Sequence, residues 1–208
     1  MSITPSNNAT PNSSSGNEFF DALDELAGSG GGFSPLPEDW FEFAIALQEF
    51  KASGGGDMMA KLELTVVNDP DGHDGRKVWE NVMLEGTDKN GKSKCFMLAR
   101  LMQAMRYRYG DDVAGKLVPW PGYDKETRIT TVPRDMAGEP DLSTWEFWFQ
   151  RLSSYTLIGK VKHEGKRAKD ATGNYVTLPF RDATGRIIPD NVDCKIGQWQ
   201  TKNSDVTA

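Results

Sequence analysis

A tryptophan and a lysine share one side of the segment GRKVWENVML, residues 76–85. In an extended chain, successive side chains point to opposite faces, so Val78 and Val82 fall on one face while Lys77 and Trp79 fall on the other. If the aliphatic face is buried, Trp79 faces water beside a lysine. Lysine attracts phosphate, and an exposed aromatic ring can stack against an unpaired base. The pattern therefore favours binding of single-stranded nucleic acid, since a duplex hides the faces of its bases.

The same pairing of basic and aromatic residues recurs on other segments with alternating hydrophobicity. The side chains expected to face outward, or to lie in the turns beside them, are candidate DNA contacts: Lys61, Arg76, Lys77, Trp79, Lys160, Lys162, Lys166, Arg167, Lys169 and Tyr175. A structural interpretation competes with this one. Trp79 could pack beneath the segment 111–150, and the lysines could form an ordinary solvated strand face.

Alternation predicts three consecutive strands that must position these residues. FEFAIALQEF (41–50), MMAKLELTVV (58–67) and the opening segment are separated by a glycine run and by the turn NDPDGHDG. We expect an antiparallel meander. The inward residues of its first two strands are predicted to be Phe41, Phe43, Ile45, Leu47, Met58, Ala60, Leu62, Leu64 and Val66.

A change of period then predicts one long helix and an insertion. In KSKCFMLARLMQAMRYRYG (92–110) the apolar residues lie at helical spacing, and the final glycine is a plausible helix end. The expected buried face is Leu98, Leu101, Met102 and Met105. Residues 111–150 are expected to be an insertion packed on the sheet, with a short helix near 142–152.

Two further strands complete the predicted sheet. YTLIGKVKHE (155–164) should bury Leu157 and Val161, and NYVTLPF (174–180) should bury Val176, Leu178 and Phe180. The basic turn GKRAKDATG joins them, and the residues beyond 180 are expected to be loop, either alone or with one short strand. The fold class is therefore mainly β: a five-stranded antiparallel OB-like barrel, with one α-helix between strands 3 and 4.

Charge is distributed unevenly between the two ends of the chain. The formal charge is −6, but residues 1–60 hold nine of the 30 acids and one of the 24 bases, so the remainder is net basic. Predicted domains are 1–32, a disordered tail with a short acidic amphipathic helix and a Gly-rich linker; 33–195, the OB-like domain; and 196–208, a flexible tail. The acidic segment Glu18–Leu26 either docks as a helix on its own domain, occupies a basic groove or recruits a replication or recombination protein.

Other chemistry has little support in the sequence. Asp69, Asp71 and Asp74 lie in NDPDGHDG, but the register of a calcium loop fails there. The two histidines and two cysteines lack zinc spacing, and no nucleophile motif is present. We expect no enzyme activity, metal, cofactor, disulfide framework, secretory signal or membrane partner. A nuclease whose carboxylates assemble from scattered positions remains an alternative.

The segment MMAKLELTVVNDPDGHDGRKVWENVMLEG resembles the N-terminal part of a family of small bacteriophage single-stranded DNA-binding proteins of OB fold. IGKVKHEG and GNYVTLPF resemble that family's closing strand pair. The resemblance covers about half of the chain, roughly 40–105 and 155–192. It implies binding of single-stranded DNA without sequence preference during phage replication or recombination, in the cytoplasm of the infected host. The alternative function is a β-rich virion or scaffold component that acts through protein–protein contacts, and the oligomeric state stays open.

Overall fold

The computed structural model describes residues 35–202, which form a mainly β fold. A five-stranded antiparallel sheet has the order β3-β2-β1-β4-β7, and β5 and β6 form a small second sheet. The strands are β1 Trp40–Ala52, β2 Met58–Val67, β3 Lys77–Met83, β4 Thr156–Gly165, β5 Arg167–Lys169, β6 Tyr175–Thr177 and β7 Val192–Trp199. The helices are α1 Phe96–Tyr109, α2 Asp111–Ala114, α3 Ser143–Leu152 and a 3₁₀ turn at Pro189–Asn191. The predicted tail and acidic helix of residues 1–32 lie outside the described residues, as do residues 203–208.

The predicted meander of β1, β2 and β3 is confirmed. All five inward positions of β2, from Met58 to Val66, are buried, and so are Phe41, Phe43 and Ile45 of β1. A register shift between Leu47 and Glu49 interrupts the pairing of β1 with β2. Leu47 is therefore only partly buried at the margin of the core.

The predicted long helix is also confirmed as α1. Its expected face of Leu98, Leu101, Met102 and Met105 is buried, and the helix ends before Gly110. Two polar contacts fix its last turn to the sheet. Arg108 pairs with Glu42 of β1 at 2.5 Å, and the Tyr109 hydroxyl donates to the carbonyl oxygen of Thr156 at 2.9 Å.

The insertion packs on the sheet through its helix α3, as predicted. Trp145 and Phe149 are buried, and the Phe149 ring lies 6.1 Å from that of Phe50 in β1. The Trp148 indole donates to the carbonyl oxygen of Leu117 at 2.8 Å, which ties the helix to the start of the insertion. The aromatic cluster of the insertion thus contributes to the core.

The last strand of the main sheet differs from the prediction. NYVTLPF does not join the main sheet: its residues Tyr175–Thr177 pair only with β5, and Val176, predicted to be buried, is 39% exposed. The fifth strand is instead β7, in the region expected to be mainly loop, and it extends past residue 195 to Trp199. The tight turn between β5 and β6 directs Tyr175–Thr177 back to pair with β5. The sheet edge beside β4 is then available to β7.

Side chains link the two edge strands, β3 and β7. The Lys195 ammonium donates to the carbonyl oxygen of Trp79 at 3.0 Å, and the backbone N–H of Ile196 donates to the Glu80 carboxylate at 2.6 Å. Glu80 occupies an inward position on β3, and its carboxylate gives the edge of β7 a hydrogen-bond acceptor. None of the helices within residues 35–202 is long and apolar enough to span a lipid bilayer.

Candidate nucleic-acid interface

Trp79 lies on the outward side of β3 and is 40% exposed. Its neighbours Val78 and Glu80 point the other way, and Val78 is fully buried. The predicted outward position of Trp79 is therefore confirmed, and the 111–150 insertion does not bury the ring. The competing interpretation, in which Trp79 is part of the internal packing, is not what the structure shows.

Strand register places side chains of four strands on the same outward face as Trp79, which we call the outer face. Trp79 is opposite Glu63, which is opposite Ala46 of β1. Trp40 shares the parity of Ala46 along β1 and is opposite Lys160 of β4. Since side chains directly opposite one another in a ladder share a face, β3, β2, β1 and β4 present one continuous surface.

The basic residues of β4 and β7 concentrate on one part of this outer face. Lys162 is directly opposite Lys195, and Lys160 is opposite Gln198. The Lys160 ammonium lies 6.0 Å from the centre of the Trp40 ring, while Lys162 pairs with Glu164. Two like charges directly opposite each other repel, and a phosphate placed between them would relieve that repulsion.

Lys195 connects this basic surface with Trp79. Its hydrogen bond to the Trp79 carbonyl holds an ammonium at the backbone of the exposed tryptophan. The charges of Lys195, Glu164 and Lys162 all act on Glu80, the residue after Trp79. Trp79, Lys162 and Lys195 therefore belong to one neighbourhood. Burial raises the pKa of Glu80, against the lowering effect of the Ile196 N–H and the two lysines.

Acids also pair with the basic residues of β2 and β3. Lys77 pairs with Glu63 at 2.9 Å, and Lys61 lies 3.6 Å from Glu49. Arg76 is half-buried just before β3, close enough to Cys194 to oppose the effect of burial, which raises the pKa of that thiol. These three cations are part of the predicted set, and the two lysines, like Lys162, are engaged in ion pairs with acids.

The small sheet brings together three other predicted residues. Arg167 and Lys169 of β5 place their cationic groups 5.6 and 5.4 Å from the centre of the Tyr175 ring on β6. Tyr175 is 63% exposed, so the ring remains accessible. Lys166 precedes β5, and its backbone is hydrogen-bonded to Asn191 and Leu178 at the base of the hairpin. The hairpin thus presents an exposed aromatic ring flanked by two cations.

The sequence DATG occurs twice in this region and makes two similar turns. In the first, the Asp170 carboxylate accepts from the N–H groups of Thr172 and Asn174, and Gly173 adopts φ 86°. In the second, Asp182 accepts from Thr184 and Arg186, and Gly185 adopts φ 85°. A left-handed glycine after a type I turn closes a three-residue hairpin loop. The segment between β4 and β7 is therefore a pair of tight hairpins.

The second hairpin also carries a cation beside an aromatic ring. The Arg181 guanidinium lies 5.5 Å from the centre of the Phe180 ring and 3.6 Å from the Glu38 carboxylate. Glu38 also accepts from the backbone N–H of His163 in β4. These contacts anchor the hairpin pair to the main sheet. Arg181 is not among the DNA contacts predicted from the sequence, although the second DATG, which follows it directly, is visible there.

The structure therefore divides the predicted residues into two groups. One group shares the outer face, which holds Trp79, Lys160 and Lys162 as well as the ion-paired Lys61 and Lys77, and the other is the hairpin with Arg167, Lys169 and Tyr175. Sequence reasoning missed Trp40 and Lys195. Trp40 alternates with Phe41, which was a usable signal. Lys195 was missed because Gly197 is an extra residue in the β4–β7 pairing, so the alternation of Val192, Cys194 and Ile196 does not continue to Trp199.

Burial and local hydrogen bonds account for the cysteines and for the Asp-rich turn among the described residues. Within residues 35–202 no group of three or more His, Cys, Asp or Glu side chains is arranged to hold a metal ion. Burial raises the pKa of the Cys95 thiol, as it does for Cys194, which disfavours a nucleophilic thiolate. In the Asp-rich turn, Asp69 binds the backbone N–H and the ring of His73. Those hydrogen bonds hold the pKa of Asp69 below its usual value and stabilise the turn.

Compared with protein-family models and with curated proteins, the chain matches none. The outer face and the hairpin are therefore the features of this chain that point to a function.

Proposed function

We propose that this protein binds single-stranded DNA without sequence preference through the outer face of its main sheet and the β5–β6 hairpin. The observation that carries the proposal is the position of the exposed Trp79 on the same face as the opposed lysines, Lys162 and Lys195. Lysines would neutralise phosphates, and Trp79 and Tyr175 would stack bases. Both interactions are available to any base, which accounts for the absence of sequence preference.

The proposed fold is an OB-like barrel that is partly open between β3 and β7. Three features support it: five antiparallel strands, a helix between the third and fourth of them, and the side-chain bridges from Lys195 and Glu80 across the edge strands. In OB folds, oligonucleotides contact the face of strands 2 and 3 and the loops between strands 1–2 and 4–5. Trp79 lies on the corresponding face here, and the hairpin pair lies between β4 and β7, the fourth and fifth strands of the main sheet.

The biological setting that we propose is the coating of single strands during phage DNA replication or recombination, in the cytoplasm of the infected host. It rests on the resemblance of residues 58–86 and of the later strand segments to phage single-stranded DNA-binding proteins. The mechanism is stoichiometric binding rather than catalysis. We further propose that the acidic segment Glu18–Leu26 recruits replication or recombination proteins.

Fluorescence anisotropy with labelled oligonucleotides tests the proposed activity. We expect micromolar or tighter binding to single strands, weaker binding to duplex, and affinity that falls steeply with salt. For single strands the slope of log K against log salt is about −0.7 for each phosphate neutralised. Failure to bind single strands at low salt would refute the proposal, and sedimentation into large assemblies without DNA would favour the virion or scaffold alternative.

Lysine and arginine substitutions locate the binding face in the same assay. Replacing Lys160, Lys162, Lys166 and Arg167 with alanine should weaken binding and reduce the salt slope. The matched control replaces four lysines from other loops, Lys89, Lys92, Lys116 and Lys125, which changes the net charge by the same amount. Equal slopes for the two quadruple variants would contradict the proposed face, because long-range charge alone would then explain binding.

A further inference from the structure

Helix α1 carries an exposed stripe of aromatic, basic and amide side chains that the proposed site does not use. Phe96, Arg100, Gln103 and Tyr107 occur at positions i, i+4, i+7 and i+11, so they lie along one side of the helix. Phe96 is 56% exposed and Tyr107 is 50% exposed, whereas the opposite side of the helix is buried in the core. The buried side of the helix already supplies its core contacts, so packing does not account for these large exposed aromatic rings. Such rings often mark a binding surface.

The stripe repeats the chemistry of the outer face. The Arg100 guanidinium lies 5.4 Å from the centre of the Phe96 ring, as the Lys160 ammonium lies over Trp40 on the sheet. Tyr107 is eleven positions after Phe96, which corresponds to about 16 Å along a helix. The stripe therefore presents two stacking surfaces, with a cation and an amide between them.

A continuous groove joins this stripe to the lysines of the outer face. A depression of about 400 Å³ beside Lys160 and Lys162 is also lined by Gly197 and Gln198. Gly197 and Gln198 line a second depression, of about 330 Å³, together with Arg100 and Gln103.

The groove continues along the helix from there. Gln103 lines a third depression, of about 600 Å³, together with Tyr107 and Lys202. Since each depression shares residues with the next, they form one path from the sheet to Arg100 and Gln103 and on to Tyr107. Phe96 lies beside this path, one turn of helix before Arg100. The lack of a side chain at Gly197 keeps the groove open where it leaves the sheet, since a Cβ there would come to 3.0 Å from the Lys162 side chain.

The charges along this groove favour a polyanion. Its cations are Lys160, Lys162, Arg100, Arg106 and Lys202, and its acids are Glu38 and Asp111. Both acids are already engaged: Asp111 pairs with Arg106, and Glu38 contacts Arg181 and the N–H of His163. Glu164 pairs with Lys162 beside the groove, so five cations meet three acids and the net charge is positive.

We propose that a bound single strand continues past the β-sheet along helix α1, with its bases against Phe96 and Tyr107 and its phosphates near Arg100. This inference rests on the proposed function and adds a second contact region that lengthens the binding site. Short oligonucleotides need only the sheet, while longer ones gain the helix. The alternative occupant of the stripe is a protein surface, either a partner or a second copy of this chain.

A length series of oligothymidylates, spanning about 4–16 nucleotides, tests this path on the full chain. The variant is Phe96→Ala with Tyr107→Ala, and the control is Phe147→Ala. Phe147 is a 62% exposed phenylalanine on α3 that also lies beneath an arginine, at 5.9 Å. We expect the double variant to match wild type on the shortest oligonucleotides that bind and to lose about fivefold or more on the longest. The control should follow wild type at every length.

A second variant tests the same path along α1 without removing an aromatic ring. Gln103→Glu is nearly isosteric and places a negative charge in the groove, so it should weaken binding of the long oligonucleotides selectively. If wild type binds single strands and both variants keep its length dependence, the helix path is wrong while the proposed function stands. If wild type binds no single strand, both proposals fail. A change in sedimentation of the double variant without DNA would assign the stripe to protein contacts and overturn the inference.

Discussion

The Lys195 ammonium donates a 3.0 Å hydrogen bond to the backbone carbonyl of Trp79, across 116 residues of sequence. The contact links β7 to β3, the two edges of the main sheet, and it places a cation at the backbone of the residue that carries the exposed indole. A bound nucleotide that stacked on Trp79 would have a positive charge within reach of its phosphate. The same contact therefore supports the fold and contributes to the proposed binding surface.

Trp79 is expected to contribute strongly to affinity and little to stability. Stacking of a base on an aromatic ring contributes about 1–3 kcal/mol, so Trp79→Ala should weaken single-strand binding by roughly 5- to 150-fold. Trp79→Phe should retain most of the affinity. The chain has six tryptophans, and the fraction of fluorescence quenching by DNA that Trp79→Phe removes measures the contribution of this one. Phe147→Ala is the control, and unchanged affinity in Trp79→Ala would exclude the ring from the site.

Glu80 should make stability depend on pH. Burial raises its pKa above the ordinary 4.5, so the folded protein holds this proton more tightly than the unfolded chain does. As pH rises from below 4.5 through the raised pKa, the unfolded state ionises first and the stabilising contribution of this group is lost. Glu80→Gln can still accept from Ile196 and should flatten this pH dependence.

Urea unfolding at a series of pH values measures that effect. Glu126→Gln, an exposed acid in the insertion, is the matched control and should leave the profile unchanged. Glu80→Ala leaves the buried N–H of Ile196 without its acceptor and should cost about 1–3 kcal/mol of unfolding free energy. A glutamine variant with the same pH profile as wild type would show that the carboxyl group titrates normally in the folded protein.

The sequence predicts most of this fold because regular alternation reports local backbone geometry directly. In β2 every second residue from Met58 to Val66 is apolar and buried, so its faces could be assigned without the structure. The full extent of β7 was not predicted because Gly197 is an extra residue opposite β4, which interrupts the alternation of apolar residues. Residues Tyr175–Thr177 show the opposite error. Their alternation is genuine, but a tight turn pairs them with β5 rather than with the sheet.

The candidate site was predictable to the extent that it depends on alternation within one strand. Trp79, Lys160 and Lys162 follow from the parity of their buried neighbours. The relation of Trp79 to Lys195 does not, because it arises where two sheet edges distant in sequence approach each other. The groove along α1 depends on how the helix lies beside β7, which helical periodicity alone cannot provide.

Removing residues 1–32 should raise affinity for single strands at low salt. The deletion takes away four acids and no base, so the formal charge changes from −6 to −2. Less negative charge weakens repulsion of DNA, and the difference should disappear at high salt, where the screening length falls to about 3 Å at 1 M. Neutralising Glu18, Asp21, Asp24 and Glu25 to their amides in the full chain separates charge from length. Unchanged or reduced affinity of the truncated protein would argue against an inhibitory role for this segment.

Glu85 is expected to hold the insertion to the sheet. Its carboxylate accepts from the backbone N–H groups of Met58 in β2 and Val132 in the insertion, at 2.9 and 3.1 Å, and from the Arg134 guanidinium at 2.8 Å. The residue is only 9% exposed, so water cannot readily replace these bonds. Glu85→Ala leaves two N–H groups unpaired and should lower the unfolding free energy by about 1–3 kcal/mol.

The structural role of Glu85 can be separated from binding. Chemical unfolding should show the loss, and protease digestion should cut first within residues 111–142, because that segment would detach before the sheet opens. Arg134→Ala, which removes only the half-exposed partner, should have a smaller effect on both. Since Glu85 is buried and not part of the proposed binding surface, single-strand affinity measured under folding conditions should stay at the wild-type value. Equal stability of Glu85→Ala and wild type would mean that the insertion is held by its aromatic cluster alone.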